Sequence, residues 1–525
     1  MNTYDEHTPV LIIGGGYAGL TASLFLSHLG VESILVDRHP GVSIQGRARG
    51  INPRTMEIYR SLGIADEVNA AGAPFAGDLG GARCTTLADE WMWLFPPESP
   101  LMYPDISPSG FNLADQSAVE PALIASATDH GADQRRNTQM VSLEVDDDGV
   151  TAVTEDRASR RRRTIRADYL IAADGQRSAI REQLGIKRTG PGVVYNVMAM
   201  AFSADIARYV KRRAILWWIV NDTIGTGVLT TTADPERWSM AVAYDPQTQT
   251  PDDFPVERCV ELVRGAIGDA DLEVKIHDTT PWAQGVAVSN EYQRGRVFFA
   301  GDAAHVWSPA GGIGANTGIQ DSYNLAWKLA GVVNGWADAS LLDSYHAERH
   351  PLAMDLMRLT EERQAHRAGG DPEKDKTDDL LWSFGQRYWS DAIVDPDADT
   401  VFGETLDLHG QPGIRAPHLW VERDGERMST HDLFSQSFVL FTGDQGDAWK
   451  RAAKRVAADT GIPLRAFGIG DDLTDVDGKW ADSYTVGADG AVLIRPDGYV
   501  AWRHEGASGD PAADLSGALL AVVGR

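Results

Sequence analysis

The sequence predicts an α/β protein in which a Rossmann-like nucleotide-binding unit carries an antiparallel sheet and is followed by a second, smaller α/β unit. Three observations predict it. The chain opens on a strand–glycine–helix–strand pattern, and glycine-bearing turns recur at 174–175 and 301–316. Between about 190 and 285 the apolar period changes to strict alternation. At 525 residues the chain has room for about three domains.

The first unit starts with Pro9–Ile13 (PVLII), an apolar run suited to a buried parallel strand. Gly14, Gly16 and Gly19 then spell GxGxxG at a strand-to-helix turn. Leu20, Leu24, Phe25 and Leu29 recur at helical spacing, and Gly30 is placed to end that helix. A second strand, Ser33–Val36, runs into Asp37 and Arg38. Glycines allow a tight turn and close approach of a ligand, a helix N-terminus attracts pyrophosphate, and a carboxylate at this offset suits a ribose hydroxyl. Next, GRARGINPRTMEIYRSLGI (46–64) sets Arg47 and Arg49 ahead of a helix expected to start near Pro53. Guanidinium groups in this position suit bidentate phosphate contact.

Residues 72–110 are rich in glycine, proline and aromatics, including Trp91, Trp93, Phe95 and Tyr103. They read as an excursion toward an apolar pocket or, equally, as a surface hairpin that uses its aromatics for packing. Helical character returns over Asn112–Ser126, with Gln116 near its start, and Val141–Ile165 reads as a β-meander. Leu170–Ala173 is a further buried strand. The Asp174-Gly175 turn follows it, and Arg177 and Ser178 are expected on the first turn of the next helix.

MAMAFSAD, AILWWIV, TGVLTTT and WSMAVAY are four candidate antiparallel strands, followed by a helix at 256–267. Trp217, Trp218 and Trp238 lie on them, on faces the alternation alone does not assign. Val297–Ala300 is a strand leading into GDAAHVWSPAGGIGANTGIQDSYNLAWKLAG (301–331), a glycine-rich loop that enters a helix. Residues 366–400 are charged and read as a linker with a short aromatic helix. Residues 401–525 read as an independent α/β unit that ends in a hairpin and a helix.

A formal charge of −27 argues against nucleic acid and against an anionic membrane surface. Two cysteines, Cys84 and Cys259, with no CxxC, provide neither a disulfide framework nor a metal site. The acidic N-terminus shows no signal-peptide pattern and no apolar run approaches a membrane span, so a cytoplasmic protein is expected.

Taken together, GGGYAG, the DG turn and GDAAH…GG…GANTGIQD…NLAWKLA resemble the three fingerprints of the single-component FAD-dependent aromatic hydroxylases of the p-hydroxybenzoate and phenol hydroxylase type. RARGINPRTMEIYR and the RAPH–IRPDGYVAWR tail look most like the bacterial aromatic polyketide hydroxylases. The resemblance implies a discontinuous FAD-binding domain (1–189 and 286–365), a substrate domain (72–110 and 190–285) and a thioredoxin-like domain without CxxC (401–525). It also implies FAD as cofactor, with NADPH or NADH as co-substrate, and O2 and a small aromatic molecule as the other reactants. On this resemblance Gly14, Gly16 and Gly19 approach the pyrophosphate, and Asp37, with Arg38 beside it, serves the adenosine end. Arg47, Arg49 and Gln116 hold the pyrophosphate and ribityl region. Asp302 bonds the ribityl chain, and Gly312, Gly314, Ala315 and Asn316 face the ring. Asp174 and Arg177 serve the DG motif.

The family commonly has Pro-Pro where this chain has Ser308-Pro309. Ser308, Pro309 and Gly314 are therefore the expected reaction-side residues, and Trp93, Phe95, Tyr195, Trp217 and Pro309 the expected substrate contacts. The implied reaction is hydroxylation of a phenol through a C4a-hydroperoxide, in a site that must exclude water. No metal and no Ser-His-Asp array is required, and His305 is expected to be packed rather than an acid or base. Baeyer–Villiger insertion into a ketone is the alternative. A flavin-binding protein without turnover is a further one. Trp91–Pro96 resembles a halogenase motif, but that class needs a lysine soon after the first glycine motif, and none precedes Lys187.

Overall fold

The computed structural model describes the chain except for residues 1–3, 44–47, 78–79, 96–101, 211–213, 308, 310, 370–377 and 397–398, and the side chains of 366–369. Arg47 and Ser308 thus lie outside the described residues.

The strands of the first unit form the parallel core of an eight-stranded sheet. Its order is Gln293–Arg294, Val297–Phe299, Arg162–Ala172, Glu6–Ile13, Ser33–Val36 and Asp133–Arg135, with the meander strands attached to Arg162–Ala172. Residues far apart in sequence meet here, as in Ile13↔Ala172, Ile13↔Val36 and Ala172↔Phe299. The central strands are apolar along their length because helices cover the sheet. Two of these helices, Tyr17–His28 and Ile313–Val333, pack through their smallest residues. A Cβ at Gly318 would lie 2.9 Å from Gly301 Cα, one at Gly301 would lie 2.9 Å from Ala18 Cβ, and Ser322 Oγ donates to Ala18 O at 2.8 Å.

The alternating segments form a second eight-stranded sheet, ordered His305–Val306, Lys275–Ser289, Arg188–Ser203, Trp238–Tyr244, Gly225–Thr231, Leu216–Asn221, Gly81–Cys84 and Met92–Phe95. Its edge strand, His305–Val306, belongs to the glycine-rich stretch itself, through Ala287↔Val306 and Val288↔His305. The helix Val256–Ile267 covers one face and builds a core with Met198, Met200, Trp217, Leu229 and Met240. The excursion at 72–110 supplies the last two strands of this sheet.

The C-terminal unit has a four-stranded sheet, Leu464–Gly468, Phe438–Thr442, Ala491–Ile494 and Val500–His504, packed by helices Asp447–Thr460 and Pro511–Val522. The stretch expected as a linker carries the helix Asp379–Phe384 and is then woven into this unit. Tyr388 N donates to Gly413 O, Arg387 bridges Ile414, and Val394 N donates to Ala501 O.

The C-terminal unit docks on the first through buried charge. Glu57 on the helix Pro53–Ser61 pairs with Arg415 and, at 3.0 Å, with Arg54. Glu348 on the helix Asp343–Gly369 pairs with Arg495 at 2.6 Å and Lys328 at 2.8 Å. Burial alone would raise the Glu57 carboxyl, but Arg415, His431 and Arg54 together outweigh it and hold the group well below its ordinary range. Among the described residues, no helix is long and apolar enough to cross a membrane.

Candidate active site

At the first glycine turn Gly14 has φ +112° and donates to Val36 O at 2.9 Å, and a Cβ there would lie 2.1 Å from Ala173 O. A Cβ at Gly19 would lie 1.8 Å from Gly14 O, whereas one at Gly16 meets nothing within 4 Å. The first two glycines named are thus required by packing, and the third leaves space above the helix start. Gly16 is the N-cap, and no side chain caps the first turn, so its N–H groups remain available to a ligand.

Asp37 is buried. Its Oδ2 accepts from Gly15 N at 2.8 Å and from Arg136 Nη1 at 3.0 Å, and its Oδ1 accepts from His39 N at 2.8 Å. Arg136 Nε and Nη2 are buried with no hydrogen-bond partner among the described residues. A desolvated guanidinium with spare donors beside a dinucleotide turn fits an adenosine-diphosphate group. Arg38, expected at this end, is instead exposed and donates to His39 Nε2.

Farther along, Arg49 is held by Asp115 at 2.9 Å over the Phe75 ring, and Gln116 donates to Glu120 at 2.6 Å. Asp174 has a buried Oδ1 without a partner among the described residues, and burial lifts its carboxyl above the ordinary value. Arg177 precedes the helix Ala179–Gln183 and is exposed, a departure from the expected place on its first turn. Ser178 is the N-cap, and the arginine buried at this turn is Arg181, which donates to Ala303 O at 2.8 Å.

The third glycine site repeats the design of the first. Gly312, with φ +64°, is the N-cap of the helix Ile313–Val333, again without a side-chain cap. Gly311 and Gly312 are exposed, and Asn316 ties the helix start to the chain at Gly50–Asn52. Its Nδ2 donates to Gly50 O at 2.9 Å and to Gly312 O at 2.7 Å, and its Oδ1 accepts from Asn52 N. Gly314 and Ala315 sit in this first turn, and a Cβ at Gly314 would lie 3.4 Å from Trp307 Nε1. Asp302 is exposed on the single turn Gly301–Ala303, and Pro309 is exposed and accepts from Gly312 N at 3.0 Å.

Beneath the loop, Asp321 accepts from Gly301 N at 3.2 Å, His305 Nε2 at 2.6 Å and Arg349 Nε at 2.8 Å, all buried. His305 also stacks on Trp307 at 4.3 Å, so it is the packed residue expected. Arg363, buried, lies 4.0 Å over the Trp382 ring, and its Nη1 is 3.0 Å from where a Gly311 Cβ would be. Asp321 is the aspartate that ends GANTGIQD, whereas Arg136 and Arg363 carry no motif signal.

The substrate-side expectations divide by face. Trp217 is fully buried beneath the helix Val256–Ile267, between Trp91 and Trp238, and Trp93 packs against the same core. Trp217 is therefore a core residue, which corrects the expected substrate contact. Its neighbour Trp218 takes the opposite face with Val228, Ala241 and Ala199, and that face also carries Tyr195, 41 % exposed, and Trp282, 40 % exposed. A bulge between Gly81 and Ala82 sets Phe95 against Gly81, while Trp93 stays on the covered face. An open groove of about 880 Å³, lined by Asp205, Trp238, Arg264, Glu273 and Lys275 among others, lies at the far end of this sheet and contains no glycine motif.

Residues 7–360 match a FAD binding domain family model, and residues 409–525 match that of the aromatic-ring hydroxylase C-terminal region. A putative polyketide hydroxylase of Streptomyces halstedii is 41% identical over 523 residues, covering 95% of this chain and 94% of the relative. Tetracenomycin A2 monooxygenase-dioxygenase of Streptomyces glaucescens is 39% identical over 99% of this chain and 97% of its own. Among solved structures, aklavinone-11 hydroxylase in complex with FAD and aklavinone superposes with a TM-score of 0.91 at 35% identity, covering 100% of both chains.

Proposed function

Because the chain belongs to the FAD-dependent aromatic-ring hydroxylases and is a flavin-dependent monooxygenase, we propose that it hydroxylates a polycyclic aromatic phenol of the polyketide type. NADPH or NADH is the reductant. The balance is ArH + O2 + NADPH + H⁺ → ArOH + H2O + NADP⁺. FAD, when bound, supplies electron transfer and oxygen activation.

The protein's own part is to bind, orient and exclude water. The helix start above Gly16, in a turn that Gly14 and Gly19 make possible, receives the pyrophosphate, and Asp37 with Arg136 receives the adenosine end. Arg49 and Gln116 serve the middle of the cofactor and Asp302 the ribityl chain. The N–H groups of Gly314 and Ala315, in the uncapped first turn, serve the ring, where they favour negative charge on it. Tyr195 and Trp218, at separate points of the face not covered by the helix, are the aromatic contacts offered to a planar substrate, with Phe95 and Pro309 as further contacts. The observation that carries this reading is the pair of glycine-capped helix starts, each free of a side-chain cap, packed together through Ala18, Gly301 and Gly318.

The test is NADPH consumption by the FAD-loaded protein with and without a panel of polycyclic phenols. Substrate-stimulated consumption with a hydroxylated product supports the reading. FAD binding without consumption indicates a binding protein, and an ester or lactone product indicates ketone insertion instead.

A further inference from the structure

The glycine-rich helix Ile313–Val333 is anchored from below by a chain of buried contacts that ends in the C-terminal unit. Arg349, on the helix Asp343–Gly369, uses three parts of its guanidinium in three directions. Nε donates to Asp321 at 2.8 Å, Nη2 donates to Thr317 O at 3.2 Å, and Nη1 donates to Tyr388 OH at 2.8 Å and to Gln386 Oε1 at 3.3 Å. Thr317 and Asp321 lie on the first turns of the helix that starts at Ile313, and Asp321 also receives Gly301 N and His305. Tyr388 stacks on Tyr499 at 4.2 Å with a 27° interplanar angle. Tyr499 precedes the strand Val500–His504, and Tyr388 N donates to Gly413 O. Asp321, Arg349 and Tyr388 are all buried.

A buried ion pair is a poor source of stability, because desolvation offsets its attraction, but a rigid planar fork fixes geometry well. We propose that the C-terminal unit is a positioning element for the oxygenation site. Through Tyr499 and Tyr388 it orients Arg349, and Arg349 sets the helix start and the backbone at Gly301. The inference rests on the reading of Gly314 and Ala315, in the uncapped first turn, as the ring-facing donors. Those N–H groups stabilise charge on reduced flavin only where they are held in place, so loosening the anchor makes reduction less favourable.

Tyr388→Phe keeps the ring on Tyr499 and removes the hydroxyl that accepts from Arg349 Nη1, leaving Gln386 Oε1 as the other acceptor of that nitrogen. Tyr499→Leu removes the stack and serves as the second variant. Arg60→Ala is the control, since it breaks the Arg60–Asp432 pair between the same two units, outside this chain of contacts. The readouts are FAD stoichiometry and the two-electron reduction potential of bound FAD, measured against a reference dye without any substrate. With FAD still bound, Tyr388→Phe and Tyr499→Leu are expected to make reduction about tenfold less favourable, which is about 30 mV for two electrons. Arg60→Ala is expected to match wild type. A wild-type potential in Tyr388→Phe, or an equal shift in Arg60→Ala, overturns the inference and leaves the family reading intact. Failure of the wild-type protein to bind FAD would remove that reading, and the inference with it.

Discussion

Arg136 reaches Asp37 across 99 residues of sequence and donates to the same carboxylate oxygen, Oδ2, that receives Gly15 N–H. The pair forms because the strand Asp133–Arg135 lies beside Ser33–Val36, with Val36↔Arg135 in register, so the next residue on each strand meets the other at the mouth of the glycine turn. Arg136 retains buried Nε and Nη2 donors beyond this bond.

Arg136→Ala is therefore expected to weaken FAD binding about 10- to 100-fold, the loss of one or two charge-assisted hydrogen bonds. Arg38→Ala is expected to change it by less than about threefold, as for an exposed side chain. Fluorescence quenching of titrated FAD measures both, and equal effects would contradict the assignment.

The two adjacent tryptophans separate packing from recognition. Trp217→Ala opens a cavity under the helix Val256–Ile267 and is expected to cost about 3–5 kcal/mol in stability. Trp218→Ala is expected to cost less than about 1.5 kcal/mol and to raise KM for the aromatic substrate. Chemical denaturation and steady-state kinetics read the two effects, and a reversal of the pair would place the substrate on the wrong face.

These residues also mark what the sequence makes legible. The strand, glycine and helix pattern at 9–37 and the loop at 301–316 can be read directly, because turn geometry demands glycine at set positions whatever the rest of the fold does. The period of the second sheet is equally local, and the four expected strands all form. Its phase is not local: which of Trp217 and Trp218 points inward is decided by a helix some 40 residues later in the chain. Arg136 and Arg363 are invisible for the same reason, since only strand pairing and helix packing bring them to the glycine turns. The interval 366–400 misleads by composition, because its charged part adjoins residues 385–394 that are bonded into the C-terminal unit.

Asp302, on the turn after the strand Val297–Phe299, is expected to matter for retention of the cofactor. Asp302→Ala should weaken FAD binding about tenfold, one hydrogen bond to a polar ligand. Flavin content after gel filtration checks this, and full retention would remove Asp302 from the site.

Acid should destabilise the C-terminal unit. Burial, aided by the nearby Arg415 cation, pushes the His418 imidazole down to about 4, and its Nδ1 shares a hydrogen bond with Ser429 Oγ. Its ordinary value is about 6.5. Between these values the unfolded chain binds a proton that the folded one does not, so stability is complete above about 6.5 and falls as pH drops toward 4. The loss from this group is about 2 kcal/mol at pH 5. His418→Asn should show a shallower fall in melting temperature between pH 7 and 5 than wild type. An unchanged slope would assign the acid sensitivity elsewhere.

On the proposed function this chain places one atom of O2 on an aromatic carbon. The most direct measurement is the product mass of a polycyclic phenol turned over with NADPH under ¹⁸O2. One labelled oxygen in a rearomatised product with an intact ring skeleton is expected. A hydroxylated product whose new oxygen is unlabelled, or NADPH consumed with H2O2 as the sole product across the whole panel, would overturn this assignment.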